Sequence, residues 1–300
     1  ITHGNDAFLL TGARQIGKTY LIRQCLKESG YPYIELNFIE QPELVNLFAG
    51  AKDAKELLMR LSVVAKEPLE QGKTIIFLDE IQEFKDIVTR IKFLVEDGRC
   101  DYIESGSLPG VKYKEVPSYA VGYEELYQMY PMDFEEFLYA NGVQPSTLEL
   151  LKKCFTEKEV VSDAIHETML KLFYTYIVVG GMPAVVQDYV KTHDIGRTVE
   201  MQRNILDLYR LDIAKYAQDN NKIKIKAIFD SIPSQLDDKN RRFILAKVDE
   251  KGRMNRYENA FLWLSDAGVA LSSYNVNEPQ PPLQLNEKRS LFKLFMGDTG

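Results

Sequence analysis

The chain has 300 residues, 27% charged and 45% hydrophobic, enough for two domains or one large one with a sizeable core, which excludes a disordered, collagen-like or fibrous protein. The formal net charge of −7 excludes a uniformly basic nucleic-acid coat. The charge is uneven, however: residues 222–256 hold ten Lys/Arg against five Asp/Glu, a local net of +5 that leaves about −12 elsewhere.

Along the first 140 residues, apolar runs alternate with amphipathic stretches. Ala7–Leu10 reads as a strand, and Lys18–Ser29 as a helix stopped by Gly30. Tyr33–Phe38, after Pro32, reads as a second strand. Leu57, Leu58, Leu61 and Val64 mark a helix face. Thr74–Leu78 is a β-branched, aromatic run of strand type. Phe84, Ile87, Val88, Ile91, Leu94 and Val95 recur at helical spacing up to Gly98. Tyr102–Ser105 is another short strand. Strands alternating with helices predict an α/β fold, a parallel sheet covered on both faces.

Asp133 and Glu136 have capping-box spacing, which starts a helix over Phe134–Ala140 that Asn141-Gly142 ends. From there to about Asn221 the pattern is mainly helical, interrupted at Gly180-Gly181-Met182-Pro183. Residues 222–276 read as two helical stretches, a turn at Gly252, and a helix. Asn255 and Glu258 fit its N-terminus, Tyr257, Phe261 and Leu264 its face, and Gly268 its stop. Val269–Val276 reads as a strand pair or wing, and Pro279, Pro281 and Pro282 as a stiff connector.

Cys25, Cys100 and Cys154 are scattered, with no CxxC pair. They argue against a disulfide framework or a zinc site, and fit idle thiols in a reducing, cytoplasmic setting. The longest uncharged stretch, Leu172–Gln187, is too short for a membrane span and contains Gly180, Gly181 and Pro183. The chain opens on Ile1 rather than Met, almost at its first strand, and is expected to be a piece of a longer protein.

The strongest signal is Gly12-Ala13-Arg14-Gln15-Ile16-Gly17-Lys18-Thr19, which fits G-x-x-x-x-G-K-[ST] between a strand and a helix. The glycines let backbone N–H groups converge on phosphate oxygens, and the following helix points its positive end at them. Lys18 is expected to reach the β- and γ-phosphates of a nucleotide, and Thr19 to offer its hydroxyl to Mg²⁺. A metal-bound triphosphate also needs carboxylates at the end of a neighbouring strand. Ile75-Ile76-Phe77-Leu78-Asp79-Glu80 supplies them, with Asp79 holding the metal's water shell and Glu80 polarising the attacking water. Ser105 and Ser107 follow the next strand, where a hydroxyl senses the γ-phosphate or simply ends the strand. Asn37 ends the second strand, where its amide either restrains Glu80 or only closes the turn.

These residues resemble the AAA+ branch of phosphate-loop ATPases. More closely, the chain resembles a prokaryotic family of AAA+ ATPases that carry a nuclease-like C-terminal domain of unknown function. Besides the phosphate loop, the marks are Leu78-Asp79-Glu80-Ile81-Gln82, Ser105-Gly106-Ser107, Tyr130-Pro131-Met132-Asp133-Phe134-Glu135-Glu136-Phe137, Gly180-Gly181-Met182-Pro183, Asp212-Ile213-Ala214-Lys215-Tyr216, Phe292-Lys293-Leu294-Phe295 and Asp298-Thr299-Gly300. Two departures stand out: Ser105 replaces the family's Thr, and Gly122-Tyr123 stands where relatives carry Arg before the last core strand. The resemblance implies an ATPase core over 1–140, a helical lid over 141–221, a winged-helix-like domain over 222–285, and the truncated start of the nuclease-like domain over 286–300.

It also implies ATP and Mg²⁺ as cofactors. The nucleotide falls to Gly12 through Tyr20 and to Pro183, the metal to Thr19 and Asp79, and catalysis to Glu80, Lys18 and Ser105. ATP is expected between the sheet's carboxyl edge and the helical segment, with slow hydrolysis coupled to domain rearrangement. The alternative is a nucleotide-gated switch with negligible turnover. Residues 222–276 stand as a contact for DNA or protein, or as a solvated face. A homo-oligomer is a further expectation, with Arg14, Arg90, Arg203 and Arg210 all open as the arginine such assemblies supply. A small-molecule kinase uses the same loop, but nothing after the core resembles an arginine-rich acceptor lid.

Overall fold

The computed structural model describes residues 6–65, 69–107, 122–217 and 219–300, which divide into two units, Ile1–Met129 and Tyr130–Gly300. Ile1 and the side chain of Val88 lie outside the described residues.

In the first unit, β1 (Ala7–Thr11), β2 (Tyr33–Asn37), β3 (Ile75–Asp79), β4 (Asp101–Gly106) and β5 (Glu124–Gln128) form one sheet in the order β2-β3-β4-β1-β5, with every pairing parallel. Helix α1 (Lys18–Ser29) covers one face, setting Ile22 and Leu26 on Leu10, Ile75, Phe77 and Ile103. On the other face α2 (Glu43–Phe48), α3 (Ala54–Val64) and α4 (Lys85–Asp97) bury Leu44, Phe48, Leu57, Leu61, Ile91 and Leu94 against Ala7, Leu9, Leu36, Ile76 and Leu78. Gly30 and Gly98 end α1 and α4 with φ of 71° and 66°, backbone that glycine adopts without strain. Val64, expected on the buried face, is exposed at the last turn of α3.

The parallel order brings the carboxyl ends of all five strands to one edge of the sheet. Because β4 lies between β1 and β3, the segments leaving β1 and β3 depart from that edge on either side of β4.

The second unit opens with α5 (Phe134–Ala140), whose capping box is complete: Glu136 N–H donates to Asp133 Oδ1 and Asp133 N–H to Glu136 Oε2, each at 2.8 Å. Then come α6 (Pro145–Glu157), α7 (Asp163–Val179), α8 (Pro183–Thr192), α9 (Ile195–Tyr216), α10 (Asp219–Asp237), α11 (Glu258–Asp266) and the antiparallel pair β6 (Ala270–Val276) and β7 (Glu287–Met296). The second unit starts at Tyr130, where Phe134 and Phe137 pack their rings on Phe173 and Tyr176 of α7, at 5.2 and 5.4 Å. The two helical stretches expected after residue 222 are one helix, α10, followed by 3-10 turns at Leu245–Lys247 and Met254–Arg256. Ile225, Ile228, Phe229 and Ile232 carry one buried stripe through it.

Residues 286–300 belong to the second unit. They supply β7, the partner of β6. Its Phe292 stacks on Phe243 at 5.6 Å and meets Phe261 of α11 edge-on at 5.2 Å. The sequence placed the second strand of the pair inside 269–276, but the chain crosses a connector before it returns.

One polar feature of the first core stands out. Glu104 is fully buried, and among the described residues neither of its carboxylate oxygens has a hydrogen-bond partner. Leu9 faces Glu104 and Ala7 faces Glu124 in the register, so both carboxyls lie on the sheet face covered by α2–α4. Burial, with Glu124 adding to it, holds Glu104 well above the usual carboxylate range. Burial likewise pushes Glu124 up to about 7. An acid whose folded pKa is raised favours the fold while protonated, and that contribution is lost as pH rises from the unfolded value through the folded one. Stability of the first unit is therefore expected to fall between about pH 5 and pH 8 in urea titrations. Glu104→Gln should flatten that slope and gain roughly 1–3 kcal/mol at the upper end. A parent with no slope in that window contradicts the assignment.

Candidate functional site

The segment leaving β1 is shaped by its glycines. Gly12 has φ 139°, and a Cβ on it would lie 2.3 Å from the Met129 carbonyl oxygen, so only glycine fits. Gly17 turns into α1 with φ 94°, and Gln15 also takes a left-handed backbone, φ 65°. Ile16 and Ala13 are buried and anchor the loop, whereas Arg14 is half-buried, Gln15 exposed and Tyr20 75% exposed. No side chain caps α1 and no acid stands in its first turn, which leaves the first N–H groups and the positive end of the helix for an anion.

Lys18 is buried, and its ammonium donates to the Gly12 and Ala13 carbonyls at 3.0 and 2.7 Å. Burial lowers its pKa to about 8, while Glu80 and Asp79 oppose the shift. Thr19 Oγ1 donates to Asp79, 3.2 Å from either carboxylate oxygen. Asp79 is also the acceptor for Asn37 Nδ2 at 2.9 Å, for Ser105 Oγ, and for the Glu80 N–H at 3.1 Å. Burial raises the Asp79 pKa, and the Ser105 and Thr19 hydrogen bonds resist that rise. Register explains the cluster: Asn37 faces Asp79 across β2–β3, and Asp79 faces Ser105 across β3–β4.

The structure thus brings Gly12, Lys18, Thr19, Asp79, Glu80 and Ser105 to one sheet edge. Asn37 differs from expectation in its partner: its amide holds Asp79, not Glu80. Glu80, in a left-handed backbone at φ 57°, accepts instead from Gln82 Nε2. A Cβ on Gly106 would come within 2.8 Å of Gln82 Oε1, so that glycine leaves room for the restraint. Sequence reasoning gave Gln82 no role; the signal was its place two residues after Glu80, in a single 3-10 turn (Ile81–Glu83). Pro183 lies in the second unit, as the first residue of α8.

Chemically, the loop offers N–H groups and an ammonium to an anion, and beside them a hydroxyl and a carboxylate, both hard oxygen donors. That donor set fits Mg²⁺, which takes one or two protein oxygens and shares the rest with substrate phosphates and water. Among the described residues no group of three or more His, Cys, Asp or Glu could cage a metal by itself. Two clefts of about 780 and 540 Å³ lie elsewhere, along α3 and α4, and neither is lined by residues of the loop.

Residues 4–138 match the AAA domain family AAA_14, and residues 170–300 match a domain of unknown function, DUF8612. No curated protein matches the sequence. Among solved structures, a Walker-type ATPase of Pyrococcus abyssi superposes with a TM-score of 0.51 at 17% identity, covering 98% of this chain and 89% of that one. The ORC1 protein of Aeropyrum pernix, solved with DNA, gives a TM-score of 0.35 at 14% identity over 97% and 83% of the two chains. RuvB of Thermotoga maritima gives 0.37 at 14% identity over 89% and 82%.

The contact at Gly12 can be checked directly. Gly12→Ala is expected to destabilise the first unit by about 2–4 kcal/mol in chemical denaturation, through the clash with Met129 and the left-handed backbone. A loss below about 0.5 kcal/mol contradicts the described loop.

Proposed function

Taking residues 4–138 as an AAA domain of phosphate-loop type, we propose that this protein binds ATP with Mg²⁺ and hydrolyses it slowly, coupling the cycle to domain rearrangement. The observation that carries the reading is the Thr19–Asp79 contact at 3.2 Å beside a buried Lys18. The N–H groups of Gly12–Thr19 cradle the phosphates, with Arg14, Gln15 and Tyr20 at the rim. Lys18 leaves its carbonyl partners for the phosphate oxygens. Thr19 and Asp79 would hold Mg²⁺, which when bound would supply neutralisation of phosphate charge. Glu80 orients the attacking water once Gln82 releases it, and Ser105 positions the Asp79 carboxylate. The proposed contact of Pro183 with the base rests on the family resemblance.

A second reading, a nucleotide-gated binding switch with negligible turnover, draws support from the restraint of Glu80 by Gln82. The partner contact falls to residues 222–276, as DNA or protein. Lys224 and Lys247 there are engaged by Arg256 O and Asp238. Helix α11 carries Glu258 and Asp266 and no Lys or Arg, so a base-reading role for that helix is disfavoured. Contact through phosphates or an acidic protein face fits better, with a steep salt dependence if DNA is bound. Free thiols at all three cysteines suit a cytoplasmic setting. Among the described residues no helix is long and apolar enough to cross a membrane. Assembly into a homo-oligomer completes the proposal, without assignment of a trans-acting arginine.

Lys18→Ala should abolish nucleotide binding in a fluorescent-analogue titration. Glu80→Gln should bind like the parent and lose roughly 100-fold or more in turnover. Parent-like hydrolysis by both variants rules out the site. Because Lys18 titrates near 8, affinity should weaken as pH climbs past that value and the ammonium loses its proton. An affinity constant from about pH 7 to about pH 10 contradicts the role given to Lys18.

A further inference from the structure

Three segments far apart in sequence meet inside the second unit. Gly180 ends α7 with φ 74° and ψ −168°, a backbone essentially restricted to glycine. Gly181 and Met182 follow, and Pro183 starts α8. The Asp298 carboxylate sits against this turn. Its Oδ1 accepts from Gly181 N–H at 2.6 Å, and Met182, Thr299 and Gly300 N–H groups also donate to the carboxylate. A Cβ on Gly180 would lie 2.2 Å from Asp298 Oδ2, and one on Gly181 would lie 2.0 Å from the Met132 carbonyl oxygen.

The rest of the junction is equally committed. Met132 N–H donates to Gly181 O at 2.8 Å, and Tyr176 Oη donates to Met132 O at 2.9 Å. Gln202 Nε2 donates to Val178 O at 2.7 Å, closing the end of α7. On the other side Asp298 is joined to β7 through Gly297, whose N–H donates to Val269 O at 2.9 Å, at the foot of β6. β7 also displays Lys288, Arg289 and Lys293 to solvent.

We propose that Asp298 is a latch that transmits the state of the β6–β7 hairpin to the α7–α8 turn. Proline at the start of α8 removes one donor, and the turn is built on two glycines with no side chain of their own to fix it. Its N–H groups are therefore held from outside, by a carboxylate mounted on the end of a strand. Any shift of β7 moves Asp298 with it, and the turn loses its acceptor. The linkage stands on the geometry of the second unit alone and needs no nucleotide.

Amide hydrogen exchange on the full chain, resolved to residues 180–186, tests it. Asp298→Ala should raise exchange at Gly181 and Met182 by about tenfold or more. Asp298→Asn, which keeps the size of the side chain and one acceptor oxygen, should raise it less, at the same amides. Amides of α9 and α10 should keep parental rates in both. Gly297→Ala perturbs the hairpin end, because its Cβ would lie 2.6 Å from Gly268 O. It should speed exchange at the turn in the parent and add nothing when Asp298 is already replaced. The proposal is overturned by parental rates at the turn in Asp298→Ala or, should that variant not fold, in Asp298→Asn. It is also overturned by a uniform rise across the unit, or by a Gly297→Ala effect of the same size with and without Asp298.

Discussion

The first unit is organised around one carboxylate. Asp79 receives Thr19 from the start of α1, Asn37 from β2 and Ser105 from β4, so four elements meet at a group that sequence alone marks only as the end of an apolar run. A buried carboxylate without donors would be costly to keep charged. Here the donors come from the neighbouring strands and from the helix that the glycine loop begins. Loop, sheet edge and helix start therefore hold one another in place.

What the sequence made legible follows from the range of each interaction. The phosphate loop, the capping box at Asp133 and the glycine stops at Gly30 and Gly98 are local: the residues that cause them lie within one turn of the feature. The site partners are not local. Asn37 and Ser105 converge on Asp79 because of strand register, and nothing in either segment states which strand will be its neighbour. The restraint of Glu80 by Gln82 depends on a left-handed residue and on Gly106 from another strand. β5 left little pattern because, as an edge strand, four of its five residues are exposed. α2 is too short for helical periodicity to register. The strand from 287 to 296 was misassigned for the same reason as the site partners: its mate lies beyond a connector, and Phe292 finds its core only after the chain returns.

Charge in the loop is arranged for a guest. Lys18 is held inside on two backbone carbonyls, with its proton loosened by burial and retained with the help of Glu80 and Asp79. Neutral carbonyls are modest acceptors, and a polyanion offers an ammonium far more. Under the proposed function the ammonium is thus held beside the phosphate site, while Glu80, proposed to orient the water, is tied to a neutral amide.

The outer strand of the sheet has a consequence of its own. β5 displays Leu126 and Tyr127, 65% and 47% exposed, along a border that has no neighbouring strand on one side among the described residues. Such borders invite a strand from another molecule unless a charge turned toward the interior discourages it. Glu124 occupies that guarding position, yet burial brings its proton on near neutrality. Protonation of Glu124 removes that inward charge, so the outer border is better guarded above the carboxyl's raised pKa than below it.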